Sequence, residues 1–564
     1  MMHAKYRMVV SLTVAATLAA CGAPPAASPQ ASTDGAAADR ARCEALRDLP
    51  NLTITTAKIV AASGDTPSYC YVRGALPPGI AYHVQLPLPA NWNGRFLKFG
   101  DGTKDGDLDY ADHRLAEGYA VANSNMGHDA GAEPGAWFAF DNRQAEIDFG
   151  YRAVHLTANA GKAVVAAYYE RAAARAYFEG CSTGGREGLM EAQRFPEDFD
   201  GIVAGAPVFR YEELNAGHTW LLQRVFRNGY AGNLAFDADG DGTPESLRKL
   251  ELLADAVLAR CDTNDGIEDG VIDEPLMCDF EPRRELAAHQ CTNDVDGDAC
   301  FTAAQMQTIE DFYRGPYDSA GTSIIKGRAF GAERGWTEYL PHAGNRMFPE
   351  HLYNSRDHTA FLFYENDPGV PVPRANDLSY VPNKTATPPE WAWWQFDIDD
   401  LTAGKADLMK SLLNATDPDL ARFLTRRDGK LILWHGWNDA GAPPEPTLDY
   451  YEEVVAATFD GDAAKAREHA RLFMFPGMGH CGGGPGPNTW DALGPLVAWV
   501  ENGTAPESVV ARHATDGRVD DPWKSPQGDN ERAVCAHPQV ARYSGPEGGA
   551  NDPANWTAAN FTCR

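Results

Sequence analysis

The sequence predicts an α/β protein: a mostly parallel, helix-covered sheet interrupted by one large insertion. Three observations carry this. Short apolar strands alternate with helical patterns over about 82–194, and again over about 430–502. The stretch between, 209–428, is rich in Gly, Asp, Pro, Trp and Cys and lacks that alternation. The pattern then resumes, which favours an insertion over an independent tandem domain. At 564 residues the chain has material for two or three domains, and 44% hydrophobic residues fill a large core.

The elements follow in order. Residues 1–21 read as a signal: Lys5 and Arg7 precede a short apolar run from Met8 to Leu18, too short to span a bilayer permanently. Leu18-Ala19-Ala20-Cys21-Gly22 resembles the bacterial lipobox, which would make Cys21 the lipidated first residue of an exported protein. Ordinary cleavage in the same small-residue region is the alternative. The product is then a periplasmic or outer-membrane-anchored lipoprotein, or a secreted one. Residues 22–40 (Ala, Pro, Ser, Gly) read as a disordered tether.

Residues 41–208 form the first half of the core. Strands are expected at 82–89, 95–99 and 119–122, and one or two amphipathic helices over 144–174, with Ile147, Tyr151, Val154, His155 and Ala158 on one face. A strand at 176–179 then runs into a helix at 186–194. Residues 209–428 are read as a lid. Residues 429–564 complete the core with a strand at 430–435, a helix at 448–458, a strand at 471–475 and a helix at 491–502.

The formal charge is −30 and the pI about 4.8, which repels nucleic acid and anionic lipid. Eleven cysteines minus Cys21 leave ten, an even number that in an exported chain implies five disulfides. Sequence proximity suggests Cys43–Cys70, Cys261–Cys278, Cys291–Cys300 and Cys535–Cys563, leaving Cys181 and Cys481 for each other. A free nucleophile or metal ligand at either of these last two is the alternative.

That last pair flanks two residues with chemistry. Gly180-Cys181-Ser182-Thr183-Gly184 is a G-x-S-x-G pattern set between a strand and a helix, the context of a nucleophile elbow. Asp439 follows the strand at 430–435, and His480 lies in Pro476-Gly477-Met478-Gly479-His480 after the next strand. Ser, then Asp, then His is the chain order of α/β-hydrolases. A serine hydroxyl needs an imidazole to take its proton, and a carboxylate to orient and stabilise the imidazolium. Loop cap and surface histidine are the bland readings of Asp439 and His480; order and placement favour the triad. An oxyanion would take the N–H of Thr183 and one from Gly100-Asp101-Gly102-Thr103, with Gly102 preferred to Gly100.

In the insertion, the run from Cys261 to Val271 spaces carboxylates so that they can converge on one hard cation. The acidic loops at 237–242 and 293–298 read equally well as solvated turns.

At Trp92-Asn93-Gly94-Arg95-Phe96, Gly180 to Arg186, Phe199-Asp200-Gly201-Ile202, Gly205-Ala206-Pro207, Leu413-Asn414-Ala415-Thr416, His435-Gly436-Trp437 and Pro476 to Cys481, the chain resembles the tannase/feruloyl esterase family. The resemblance implies an α/β-hydrolase core with a lid, and serine hydrolysis of aromatic acid esters of feruloyl, galloyl or terephthalate-monoester type. The expected partner is a small aromatic ester. It implies no organic cofactor but a structural Ca²⁺ in the lid, held by the side chains of Asp262, Asp265 and Asp269 and the carbonyls of Ile267 and Val271. Many members carry Gly-Asn-Gly-Gly in the oxyanion loop; this chain departs with Gly100-Asp101-Gly102-Thr103. Trp391, Trp393 and Trp394 could stack an aromatic acyl group, and at least one is expected in the core. The rival reading is a Ca²⁺-stabilised surface lipoprotein with an inactive triad that binds aromatics or glycans.

Overall fold

The sheet that organises the molecule has nine strands in the order β1-β2-β3-β5-β4-β6-β7-β8-β9. In the computed structural model, residues 29–104, 106–133, 135–364, 393–514 and 530–564 are described. The strands are β1 Thr53–Val60, β2 Tyr69–Leu76, β3 Ile80–Pro87, β4 Arg95–Phe99, β5 Ala120–Ser124, β6 Arg175–Cys181, β7 Gly201–Gly205, β8 Lys430–Gly436 and β9 Ala470–Phe475. From β5 through β9 every neighbouring pair is parallel. β1, β2 and β3 add an antiparallel meander joined to β5.

The parallel strands are apolar on both faces because helices cover both. Phe96, Phe178, Ile202, Leu431, Leu433 and Leu472 face one layer, against residues of helices Ala153–Tyr169, Thr183–Arg194 and Glu445–Phe459. Leu97, Tyr177, Val203, Ile432 and Phe473 face the other, against Leu493, Leu496 and Trp499 of helix Leu493–Asn502. The one or two helices expected over 144–174 are two, Arg143–Ile147 and Ala153–Tyr169, joined by a wider π-helical turn at Asp148–Arg152. This turn resets the face, so Val154 and Ala158 are buried while Ile147, Tyr151 and His155 are only partly so.

The chain between β7 and β8 supplies none of these nine strands. It folds largely into helices, among them Tyr211–Tyr230, Arg248–Cys261, Ala303–Arg314 and Glu350–His358. Trp393 is buried edge-on to Phe226 at 5.2 Å, a core residue as expected for one of the tryptophans. Trp391, like Cys21, lies outside the described residues.

The tether expected over 22–40 is corrected in its second part, where a helix runs Pro29–Ala45. Its later turns are Ala-rich, and alanine is the strongest helix former. The helix end is pinned by the Cys43–Cys70 disulfide and by buried Leu46. Two antiparallel pairs not foreseen close the chain: β10 Ser508–Arg512 with β11 Glu531–Cys535, and β12 Ala541–Tyr543 with β13 Phe561–Cys563. All five expected disulfides are formed.

Candidate active site

β6 ends where Ser182 begins a sharp turn into helix Thr183–Arg194. Ser182 has φ 63° and ψ −121°, a strained conformation for any residue with a Cβ. The turn closes so tightly that a Cβ on Gly180 would lie 2.7 Å from the Gly184 carbonyl carbon. One on Gly185 would lie 2.3 Å from the Gly205 carbonyl oxygen. These glycines let the helix sit against the sheet and lift the serine hydroxyl clear of it.

Asp439 follows β8 and His480 follows β9, so all three residues stand at the carboxyl edge of parallel strands. His480 Nε2 is 2.8 Å from Ser182 Oγ, and Nδ1 is 2.6 Å from Asp439 Oδ2. Asp439 is fully buried. Its Oδ1 accepts from the Ala442 N–H at 2.7 Å, and its Oδ2 also lies 3.0 Å from His435 Nε2. Burial alone would raise this carboxyl, but His480 and the hydrogen bond from His435 outweigh it and hold it well below the usual carboxylate range. His480 shows the reciprocal effect. Burial pulls its pKa down, and the Asp439 charge and hydrogen bond reverse this, so the net shift is upward.

The disulfide Cys181–Cys481 joins the residue before the serine to the residue after the histidine, with Cα atoms 5.9 Å apart. As the first residue of its helix, Thr183 has no intrahelical acceptor for its N–H. Its hydroxyl donates to the Thr103 carbonyl at 2.5 Å, fixing the neighbouring loop. In that loop the Gly100 N–H is already given to the Glu179 carbonyl at 2.8 Å, so it has nothing left for a ligand. Gly102 is exposed, with open space where a Cβ would stand. The loop is anchored below by a buried set: Lys98 Nζ lies 3.5 Å from Asp101 Oδ2, and Asn123 also donates to Asp101. Glu187, pushed up to about 8 by burial and by Asp101, packs against the same set.

A cavity of about 110 Å³ opens beside the serine. Its walls include Thr103, Lys104, Ser182, Thr183, Val208 and His480 from the core, and Tyr211, Leu214, Asn215, His218, Glu338, His351 and Asn354 from the insertion. The insertion thus supplies part of the wall of the site.

The acidic run from Cys261 to Val271 lies in the insertion, beside the C-terminal strands. Asp262, Ile267, Asp269 and Val271 are all buried. Asp265, Asp269 and Asp273 converge on one buried guanidinium, Arg532 of β11, with Asp265 Oδ2 at 3.0 Å and Asp269 Oδ2 at 3.1 Å. Three carboxylates therefore share a single positive partner, while Asp262 beside them accepts from the Gly270 N–H at 3.1 Å. Burial pushes Asp262 up to about 6 and Asp269 up to about 7. The donors are oxygen-only with excess negative charge, the chemistry a hard divalent ion takes, but Asp265 and Asp269 each turn a carboxylate oxygen to Arg532. The 293–298 loop is structural instead: Asp294 caps Ala303, Asp296 pairs with Lys249, and Asp298 accepts from Ser246. In the 237–242 loop, Asp237 accepts from the N–H groups of Gly240 and Gly242, each at 2.7 Å.

Three contributors escaped the sequence reading. His435 supports Asp439 from behind, itself bound through Nδ1 to Thr447 Oγ1 at 2.8 Å. Its signals were a polar residue at the end of an otherwise apolar strand and its place in the His435-Gly436-Trp437 stretch, neither of which gave it a role. Arg532 lies far along the chain from the carboxylates it meets, so spacing could not find it. Lys104 directly follows the oxyanion loop and reads in sequence as an ordinary surface lysine.

This arrangement, on this sheet, places the chain in the α/β-hydrolase class. The family model described as tannase and feruloyl esterase matches residues 66–559, and the chain belongs to that family of carboxylic ester hydrolases. It is 34% identical over 591 residues to a mono(2-hydroxyethyl) terephthalate hydrolase of Piscinibacter sakaiensis, covering 93% of this chain and 92% of that one. It is 29% identical over 531 residues to a probable feruloyl esterase B-2 of Aspergillus terreus, covering 91% and 89%. Among solved structures, feruloyl esterase B from Aspergillus oryzae superposes with a TM-score of 0.74 at 22% identity, over 93% of this chain and 100% of that one. Tannin acyl hydrolase from Aspergillus niger gives 0.67 at 20% identity, over 94% of each. At these identities the structures establish the shared fold.

Proposed function

We propose that the protein hydrolyses esters of aromatic acids through an acyl-enzyme on Ser182. The observation that carries this is the hydrogen-bonded chain from Ser182 through His480 to buried Asp439, with the serine on a strained elbow. The relatives named as terephthalate-monoester and feruloyl esterases support the aromatic acyl group.

His480 Nε2 takes the serine proton as Oγ attacks the ester carbonyl. Asp439 holds the imidazole in the right tautomer and stabilises its charged form. The N–H groups of Thr183 and Gly102 receive the oxyanion. His480 then gives its proton to the departing alcohol, and water, deprotonated by the same imidazole, cleaves the acyl-enzyme. Ca²⁺, held by the carboxylates of Asp262, Asp265 and Asp269 and the carbonyls of Ile267 and Val271, would serve structure only and enter no step. Five disulfides belong with an exported protein, and we propose a lipid anchor at Cys21.

Ser182→Ala should abolish hydrolysis of methyl ferulate, methyl gallate and monomethyl terephthalate. It should also abolish labelling by a fluorophosphonate, which reacts only with an activated serine. Turnover retained by that variant would refute the assignment.

A further inference from the structure

We propose that His155, Glu191 and Asp198 form a binding site for a borderline divalent cation, Zn²⁺ by their chemistry, which clamps helix Ala153–Tyr169 to helix Thr183–Arg194. The site stands apart from the ester chemistry and does not depend on it.

His155 stands in the first turn of the first helix, Glu191 in the last turn of the second, and Asp198 in the bend that follows it before β7. One ligand atom of each lies within 4.8 Å of the other two. His155 Nδ1 is 2.5 Å from Asp198 Oδ2, and the imidazole is stacked on Phe195 at 3.9 Å, which fixes its direction. Glu191 is only 1% exposed, and neither of its oxygens receives a hydrogen bond from an N–H group. What faces it is the Asp198 carboxyl. Burial first, and then that neighbour, push Glu191 well above the usual carboxylate range. Two lysines act on it from further off, and both are engaged elsewhere. Lys162 donates to the Asp198 carbonyl and stands 3.7 Å from Asp198 Oδ1. Lys98 donates to the Phe99 carbonyl at 2.6 Å and pairs with Asp101. Two carboxyls that face each other out of water need something positive between them, a proton or a metal ion.

The donor set selects the ion. One imidazole nitrogen and two carboxylate oxygens suit Zn²⁺, whereas Ca²⁺ takes six to eight oxygens. For three atoms so spaced, a point exists no more than about 2.8 Å from each, and Zn²⁺ sits about 2.0–2.2 Å from such ligands, so movements under about 1 Å close the site. Lys162 keeps to the Oδ1 side of Asp198, which leaves Oδ2 for the ion. The His155 side chain is 28% exposed, so an ion enters from solvent and water completes its coordination. Asn159 lies 3.3 Å from His155 Nε2. With its amide turned, it accepts the proton that Nε2 carries when Nδ1 binds metal, the usual support of a ligating histidine.

The test titrates Zn²⁺ into the chelator-treated full chain by calorimetry and by thermal unfolding, with Ca²⁺ in excess so that the acidic run of the insertion is not the site being read. The wild type should bind Zn²⁺ in one tight step and unfold at a higher Tm with it than without. His155→Gln and Glu191→Gln should each remove that rise. Each should also weaken binding by more than the about 10- to 100-fold that loss of a merely supporting contact costs. Glu191→Gln keeps the shape of the neutral carboxyl and His155 is partly exposed, so both variants should unfold cooperatively without Zn²⁺. A wild-type Tm that Zn²⁺ leaves unmoved overturns the proposal without recourse to any variant. Equal Zn²⁺ affinity in the wild type and both folded variants also overturns it, because the ion then sits on other histidines.

Discussion

At the scale of the residue, the site depends on a proton held at one atom. His480 must be neutral at Nε2 to accept from Ser182, and its pKa is raised above the ordinary 6.5 because Asp439 outweighs the effect of burial. A raised pKa keeps the imidazole protonated to higher pH. Activity is therefore lost as pH falls, and it is lost earlier than an isolated histidine would allow. The acid limb of kcat/KM should have its midpoint above 6.5, and a midpoint at or below 6 would remove Asp439 as the effective partner. Asp439 can exert this pull because it stays ionised under full burial. The Ala442 N–H, His435 and His480 together supply what water would have supplied.

At the scale of the element, the decisive unit is strand, turn, helix. It was legible because its local rules are strict. β6 is a short apolar run, the glycines of the turn have no substitute at those distances, and the helix begins one residue past the serine. The strands bearing Asp439 and His480 were legible for the same reason. The antiparallel β1 was not, since Ala57 is its one fully buried residue and it gives no continuous apolar run. Nor was the meeting of Arg532 with the lid carboxylates, a contact set by the docking of β11 and invisible to periodicity. The cysteine parity bridged that gap at the one place where it mattered most. Cys181–Cys481 closes a separation of 300 residues between the two turns that carry Ser182 and His480. Losing a native disulfide typically destabilises by about 2–5 kcal/mol. Displacement of reacting groups by about 1 Å can slow catalysis about 10²-fold. The Cys181→Ala/Cys481→Ala variant should show both, a lower unfolding midpoint and a reduced kcat. An unchanged kcat in a folded double variant would show that packing alone holds the triad.

At the scale of the whole molecule, the same question of buried charge recurs with a different answer. A net charge of −30 is tolerable on a solvated surface, but three carboxylates gathered about one guanidinium inside the fold, with Asp262 close by, are not a stable arrangement by themselves. Asp262 and Asp269 respond by holding protons to about pH 6 and 7. A divalent ion would replace those protons and tie the loop after helix Arg248–Cys261 to the C-terminal strands, through Arg532 and the apolar cluster of Ile267, Val271, Trp556 and Phe561. This junction lies in the lid and the C-terminal strands, so removal of the ion should loosen the molecule without touching the chemistry. A ligand present at about 100 times its Kd stabilises by about 2.7 kcal/mol. A calcium chelator should accordingly lower the Tm and added Ca²⁺ restore it, while kcat measured well below the new Tm stays constant. An unmoved Tm would mean that Arg532 alone neutralises the cluster. Loss of kcat in the still-folded, chelated enzyme would mean that the ion reaches the active site after all.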